Sequence, residues 1–591
     1  MRRNLGPIIL SLAICLAAST AFALDGRTLS NAAVAPAGLR VNWMSQIATG
    51  SRGSIVDLYL NVNENNSTTF YALDFGLGRE VITQNDLDAF GNPRGIEGAQ
   101  EFAELRKEIV RAELDARGFE KTEIKMAKYT LPETILYSLT TDGLITATNA
   151  DTGKTKWQVN VSNHNQPAIG IGANNNYVAA VCGSSVYCIN AENGKMLFER
   201  PCASSPSSSP AISDELIYVP LINGRVEVFN IGARGVASVR FVGSGRALSR
   251  PTLTEKSISW ATTSGHLNVA MHKIRANKDS FKKESSDEPK TPSELARERA
   301  KEMLDQRIAA LDSIGGITYR LRTADEFHCA ATYLDGMFFA SSLQGFVYGI
   351  NEAAGSIEWE FSTGEEIDQS PIPIGNALFV VTSNHSLYKM NAQTGALVWE
   401  VPVSGVSEYV GASKDKLYVK DPAGNLIVLD QETGNRVGSV FARGMDLVLA
   451  NSQSDRLYIG TQRGLIQCLS EVSSAIPHFH SSEFIAAADK PASEMEKGME
   501  AAVEEDDDPF AKFKVKEAED DNPFGGGGDA GDDNPFGGGG DKSDDNPFGG
   551  GGDKSDDNPF GGGGDTSGSD DNPFGGGGDS KSDDNPFGGG G

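Results

Sequence analysis

The chain has 591 residues, 39% hydrophobic and 22% charged, with a formal charge of −28. Charge of that sign argues against a nucleic-acid partner, because such binding rests on Lys and Arg neutralising phosphates. The six cysteines match neither a disulfide framework nor a zinc pattern; Cys182 and Cys188 flank Gly183-Ser184-Ser185, where a cross-strand bridge is possible but two small buried apolar side chains are the better reading.

Residues 1–23 have the form of a secretory signal peptide: Arg2 and Arg3, the apolar run Ile8–Ala18, and the small-x-small site Ala21-Phe22-Ala23. Leu12-Ala13-Ile14-Cys15 is a poor lipoprotein box because Ile14 is too large. No other stretch approaches about 18 uninterrupted apolar residues, so the expected product is exported to the periplasm or cell envelope, or beyond it, without a transmembrane segment and at most peripheral to a membrane.

From Trp43 onward one phrase recurs: Asn or Asp, Gly four residues on, then usually a large apolar residue four further. It stands at Asn149–Trp157, Asn190–Phe198, Asn351–Trp359 and Asn391–Trp399, and more loosely at Asp74–Ile82 and Asp430–Gly438. The marker glycines are Gly78, Gly153, Gly194, Gly235, Gly355, Gly395 and Gly434, with steps of 41, 41, 40 and 39 where no insertion intervenes. A period near forty residues marks a repeat architecture. Asn149 and Asp151 can bond their own backbone, and Gly153 adopts positive φ cheaply, which makes the phrase a tight hairpin between the last two strands of a unit. Trp43, Trp157, Trp359 and Trp399 are then placed to wedge between neighbouring sheets.

Ala147-Thr148-Asn149-Ala150-Asp151-Thr152-Gly153-Lys154-Thr155-Lys156-Trp157 resembles the repeat of the pyrroloquinoline-quinone (PQQ)-type β-propellers, over roughly residues 39–470. The resemblance implies an all-β propeller in which Thr-Gly-Lys and Trp dock one blade on the next. It assigns structural blade-docking roles to Trp43, Gly153, Trp157, Gly194, Gly355, Trp359, Gly395, Trp399 and Gly434. That family holds quinoprotein dehydrogenases and also non-catalytic propellers such as the outer-membrane assembly lipoprotein of Gram-negative bacteria, to which this chain is closer. Units read near 51–82, 129–159, 166–200, 209–242, 250–322, 329–362, 370–402 and 408–442, with a closing unit at 447–469. Those nine are one more than the family usually has, and the first is the least regular, so about eight blades are expected, within a range of seven to nine. Pairing the strand around Trp43 with the closing unit would shut the ring and remove its open edges. Pro167, Pro210, Pro251 and Pro371 are expected to start innermost strands, with their neighbours facing the channel.

Two helical insertions break the rhythm, at about 97–128 and 277–316. The first has a stripe of Phe102, Leu105, Ile109, Val110 and Ala112 over Glu97–Glu120. The second follows the capping box Thr291-Pro292-Ser293-Glu294, carries Leu295, Met303, Leu304 and Leu311 on one face, and stops at Gly315-Gly316. Both are expected on the outside of the ring.

Residues 471–502 read as a linker. From 503 to 591, Asp-Asp-Asn-Pro-Phe-Gly-Gly-Gly-Gly recurs, with 24 acidic and 6 basic residues. Such a segment buries too little apolar surface to offset its ordering entropy and is expected to be disordered. Asn-Pro-Phe favours a tight turn with Phe projecting. It resembles the Asn-Pro-Phe ligands of eukaryotic EH domains, which are cytosolic, so the resemblance implies a binding style rather than a partner. Phe524, Phe536, Phe548, Phe560, Phe574 and Phe587 are the candidate docking groups; a solvating tail with no partner is the equal alternative.

No catalytic or metal residues can be assigned. His478-Phe479-His480 lacks a third ligand and fits a linker turn, and His328-Cys329 fits a satisfied core pair. Adjacent cysteines, common in alcohol-oxidising quinoproteins, are absent. The expected function is a non-catalytic scaffold for protein partners, bound through the propeller faces and the tail, with no cofactor. A PQQ- and Ca²⁺-dependent alcohol or sugar dehydrogenase, or a structural envelope protein, are the alternatives.

Overall fold

The computed structural model describes residues 28–50, 53–76, 78–119, 122–162, 165–232, 237–271, 299 and 316–480. The signal peptide, Gly235, the second helical insertion apart from residues 299 and 316, and the whole Asn-Pro-Phe tail, with Phe524, Phe536, Phe548, Phe560, Phe574 and Phe587, lie outside the described residues.

Within each repeat, apolar runs such as Tyr177–Cys182 are buried on both faces, so a single sheet cannot satisfy them. Eight antiparallel sheets solve this by stacking. Eight apolar clusters each join one sheet to the next, and the last joins Trp43, Tyr458 and Ile466 of blade 8 to Leu58, Leu60 and Leu136 of blade 1. The ring is therefore closed.

Blade 8 takes its inner three strands from Leu447–Leu449, Leu457–Gly460 and Leu465–Glu471, and its outer strand, Leu39–Gln46, from the other end of the chain. Leu39 pairs with Glu471 and Gln46 with Leu465. No turn joins those two strands. The short helix α1 (Asn31–Val34) and the following 3-10 turn fill the place, with Val34 buried in the cluster shared by blades 7 and 8. Buried Gln467 fastens the entry: Leu29 N donates to its side-chain oxygen at 2.8 Å, and its amide donates to Leu29 O at 2.9 Å.

The units read at 51–82 and 129–159 form one blade, so the nine units read make the eight blades expected. The inner strand Ile55–Asp74 and its partner Lys125–Thr140 are 20 and 16 residues long. The first half of Ile55–Asp74 and the second half of Lys125–Thr140 belong to the ring. At Asn63/Ser67 the register shifts, Ser67 faces Pro132, and the hairpin runs on past the blade by roughly 30 Å at the usual strand rise. Arg79–Thr83 adds a third strand to this projection. Helix α2 (Gly95–Ala116) packs on it through Ala99 and Ala103 against Tyr71, Leu73 and Ile82. This helix therefore sits on the projecting hairpin, not on the outside of the ring. Its buried face is Ala99, Ala103, Val110 and Leu114, while Leu105 and Ile109 of the expected stripe face solvent.

The hairpin phrase has the local geometry its residues favour. Asn149 Oδ1 accepts from Asp151 N and Thr152 N, and the Asn190, Asn351 and Asn391 side chains repeat the pattern. Each outer tryptophan reaches the next blade's hairpin. Trp43 donates to Ala150 O at 2.8 Å, Trp157 to Ala191 O at 2.8 Å, Trp359 to Ala392 O at 3.1 Å and Trp399 to Glu432 O at 3.0 Å. The rings lie against Gly153, Gly194, Gly395 and Gly434 respectively. At Gly355 the slot is taken by Tyr319, which no tryptophan pattern could have revealed. Trp260 lies instead on a second strand, donates to Gly224 O and stacks on Phe241. Cys182 and Cys188 fall in different inter-blade clusters, on opposite faces of their sheet, so they do not face each other for a bridge.

Gly153 has φ +71°, and a methyl group there would lie 2.6 Å from the Trp43 ring. Gly364 has φ +70° with nothing within 4 Å of such a methyl. Gly364→Ala should cost only the left-handed backbone strain, about 1–2 kcal/mol. Gly153→Ala should add overpacking of about 1–3 kcal/mol, and Trp43→Ala should cost about 3–5 kcal/mol. Urea unfolding of the three variants checks this order; equal losses for the two glycine variants would contradict the docking role of Gly153.

Candidate functional site: an arginine-rich seam beside the ring hub

The inner strands surround a hub cavity of about 430 Å³ whose wall includes Tyr59, Pro210, Arg250, Thr252, Thr332 and Tyr333. Pro167, Pro210, Pro251 and Pro371 each immediately precede an inner strand, and Pro210 and Pro251 line the cavity. Four blades are tied together at this wall. Asp57 Oδ2 accepts from Ile171 N at 3.0 Å, Ser209 Oγ at 2.6 Å and Arg250 Nη2 at 3.0 Å. Arg250 also donates to Ile171 O and lies over the Tyr59 ring, 4.6 Å from its centroid.

A quinone with Ca²⁺ needs several convergent oxygen donors and a base. No Asp, Glu, Asn or Gln is among the side chains lining the cavity, and Arg250, the charged group that lines it, is already engaged by Asp57. The residues present do not fit that pair of groups. Among the described residues no cluster of three or more His, Cys, Asp or Glu side chains is placed to hold a metal. Cys329 is buried with its sulfur 3.1 Å from Ser341 Oγ, but His328 is partly exposed and pairs with Glu326, so only the cysteine belongs to the core. The His478 and His480 rings stand 6.2 Å apart in the segment after the last strand.

The ring has two faces. One carries the hairpins between second and third strands together with the inter-blade loops; we call it the upper face. The lower face carries the repeated Asn–Gly hairpins and the projecting hairpin.

On the upper face, blade 3, with strands from Ala211–Ile212 to Val239–Phe241, and blade 4, with strands from Thr252–Leu253 to Ile317–Arg322, meet at a seam made of backbone. A methyl at Gly224 would fall 2.8 Å from Gly245 O, and one at Gly245 would fall 2.7 Å from Ser264 N. Only glycine allows these loops to touch. Their closeness assembles side chains that are far apart in sequence. Ser264 Oγ lies 2.9 Å from His266 Nδ1 and 3.1 Å from Ser244 Oγ. Arg322 pairs directly across the ladder from His266, which puts both side chains on one side of the sheet. Arg320, on the same side, donates to Val242 O. Arg225 and Arg246 flank the two touching loops. Arg225, Arg246 and Arg322 have no salt bridge among the described residues. Around them Ile222, Val242 and Leu248 are 41%, 52% and 37% exposed. Unpaired guanidiniums beside exposed aliphatic groups form a surface able to bind carboxylates and bury apolar side chains together. Sequence spacing gave no sign of this group.

The lower face has a smaller pocket, about 170 Å³, where the projecting hairpin leans on blade 8. Its wall includes Arg40, Phe70, Asp86, Asp151, Arg456 and Pro477. Arg456 pairs with Asp455 at 3.3 Å and donates to Ser474 O and Ala475 O, while Phe479 packs on Phe70 and Leu131. Burial pushes the Asp151 carboxyl up to about 6, with the Arg456 guanidinium opposing the shift. The unfolded chain loses this proton near pH 4 and the folded chain near pH 6, so the folded state holds more protons between them and stability falls as pH rises through that window. Asp151→Asn should therefore raise the melting temperature on the order of 1–3 °C at pH 7.5 and by less at pH 4. Thermal scans at both values check it; a larger gain at pH 4 would contradict the burial effect.

Among the described residues no helix is long and apolar enough to cross a membrane. The chain is 27% identical over 138 residues to the outer membrane protein assembly factor BamB of Nitrosomonas eutropha, covering 22% of this chain and 34% of that protein. It is 23% identical over 141 residues to the tetrathionate hydrolase of Acidithiobacillus ferrooxidans, covering 19% and 28%. The matches thus span about a third of those relatives or less. The crystal structure of BamB from Moraxella catarrhalis superposes with a TM-score of 0.42 at 14% identity, covering 57% of this chain and 91% of that one. The family profile described as outer membrane protein assembly factor BamB matches residues 141–265 and 304–475, half of the sequence, and the chain belongs to that family of PQQ-repeat propellers.

Proposed function

We propose that this protein is an exported, non-catalytic scaffold that binds protein partners in the cell envelope. One observation carries the reading: Arg225, Arg246 and Arg322 stand on adjoining upper-face segments that also expose aliphatic groups, with no ion pair among the described residues. Arginine and apolar groups together are the composition of interface hot spots, and unpaired arginines select an acidic protein segment. The name of the Nitrosomonas relative supports an assembly role at the outer membrane. The hub supports the same reading, because its charged groups are spent on joining blades. The match to a hydrolase keeps an enzymatic alternative in view.

Charge reversal separates these readings. Tagged full-length protein incubated with an envelope extract should retain a discrete, stoichiometric partner. Arg246→Glu with Arg322→Glu should cut its recovery by roughly tenfold or more, with the fold intact. Equal recovery would remove the seam from the function. Reduction of a dye after adding PQQ and Ca²⁺ would make the protein a dehydrogenase.

The tail extends the proposal. Six Asn-Pro-Phe copies on one string would multiply weak contacts on the order of 100-fold through effective concentration. Tail peptides carrying Phe→Ala at 524, 536, 548, 560, 574 and 587 should lose a partner that the native tail captures. Capture of the same partner in equal amount by both baits would leave the phenylalanines without a docking role.

A further inference from the structure

Helix α2 has two apolar faces where a helix covering a sheet needs one. The first, Ala99, Ala103, Val110 and Leu114, is buried against the projecting hairpin. The second is Leu105, Ile109, Ala112 and Ala116, spaced four, three and four apart, the pattern of a coiled-coil seam. At 100° per residue these four fall within about 60° of one another, and their centre lies about 140° from that of the buried face. Leu105 is 52% and Ile109 40% exposed, and Ala112 and Ala116 are exposed, while Phe102 beside them is half-buried, packed on the anchoring cluster and covered by the Arg94 guanidinium.

The helix does not owe this stripe to its own anchoring. Arg106 holds it to the sheet by two hydrogen bonds to Glu80, at 2.8 and 2.9 Å, and Arg111 donates to Thr122 O at 2.7 Å. That leaves one border of the stripe purely acidic. Glu97, Glu101, Glu104, Glu108 and Asp115 lie side by side along it, and none makes a salt bridge among the described residues. The row would repel a second copy of this helix laid antiparallel, because Glu108 would face its own symmetry mate and Glu101 would face Asp115.

We propose that this stripe is a docking face for an amphipathic helix of a partner protein whose apolar seam is bordered by Lys or Arg. The stripe supplies Leu105 and Ile109 as central contacts, and the acidic row fixes the partner's orientation by pairing with its basic border. The surface lies on the lower-face projection and does not rest on the arginine seam, so either site can fail alone.

The test uses the full-length protein and two synthetic fluorescent three-heptad helices, both with leucine seams, one bordered by lysine and the other by glutamate. Fluorescence anisotropy should show saturable binding of the lysine peptide, weakening with salt, and much weaker binding of the glutamate peptide. Leu105→Ser with Ile109→Ser should weaken the lysine peptide roughly tenfold or more. Glu101→Lys with Glu108→Lys should weaken it and improve the glutamate peptide. All four positions are exposed, so unchanged melting temperatures separate lost binding from lost fold. The proposal is overturned if the lysine peptide does not bind, if both peptides bind equally, or if the double serine variant binds as well as the native chain. It is also overturned if light scattering shows a dimer that the serine variant abolishes, which would make the occupant a second copy.

Discussion

The constraint from which the rest follows is that every blade buries both faces of its sheet. Tyr177–Cys182, Leu216–Pro220 and Met337–Ser341 are buried or nearly so along their whole length, with no solvent-facing alternation. A sheet of that kind is stable only between two others, and a row of them is stable only without ends. The two ends of the repeat region therefore have to meet. The Trp43 strand and the strand Leu465–Glu471 do this, and Gln467 and α1 replace the covalent turn that the other blades possess. Within the ring, the indole on the outer strand adds direction to non-directional apolar contact. It offers one donor to one carbonyl and presses on a residue that can have no side chain.

That logic explains what the sequence makes legible. Asn149 and Gly153 act within a few residues of each other, so their turn can be read from spacing alone, and the tryptophan four residues on marks the strand that follows. Blades built this way, ending near 200, 362 and 442, fall where periodicity puts them. The pattern weakens where another residue does the same job. Tyr319 fills the slot at Gly355, and Phe241 with Trp260 joins blades 3 and 4 through a second strand rather than an outer one. The first blade misleads for a different reason. Its inner strand is continuous through the Asn63–Ser67 irregularity, and the chain makes a second hairpin on the extension, so one long pair of strands reads as two short repeats.

The candidate surfaces are hidden from periodicity by construction. Arg225, Arg246 and Arg322 are brought together by contacts between backbones, and the glycines that permit those contacts look in sequence like ordinary loop residues. On α2, the apolar spacing is visible in sequence, but which stripe faces the sheet is not. Alanines at 99 and 103 let the helix approach closely, and the larger Leu105 and Ile109 are left outside. Further along, Val110 and Leu114 fill the space beside Phe75 and Ile124 on the same buried face.

The two surfaces have opposite chemistry and lie on opposite faces of a closed ring. The seam is cationic and belongs to blades 3 and 4; the α2 stripe is bordered by acids and belongs to a projection from blade 1. A partner suited to one is repelled by the other, so neither competes for the other's ligand. Coupling between them would require an element with two alternative packings that both ligands bias. The path between them runs through four blades joined at Asp57 and Arg250 and through continuous apolar clusters. With both proposed surfaces occupied, a wheel of this kind would hold two partners at fixed separation, which is the physical content of calling it a scaffold.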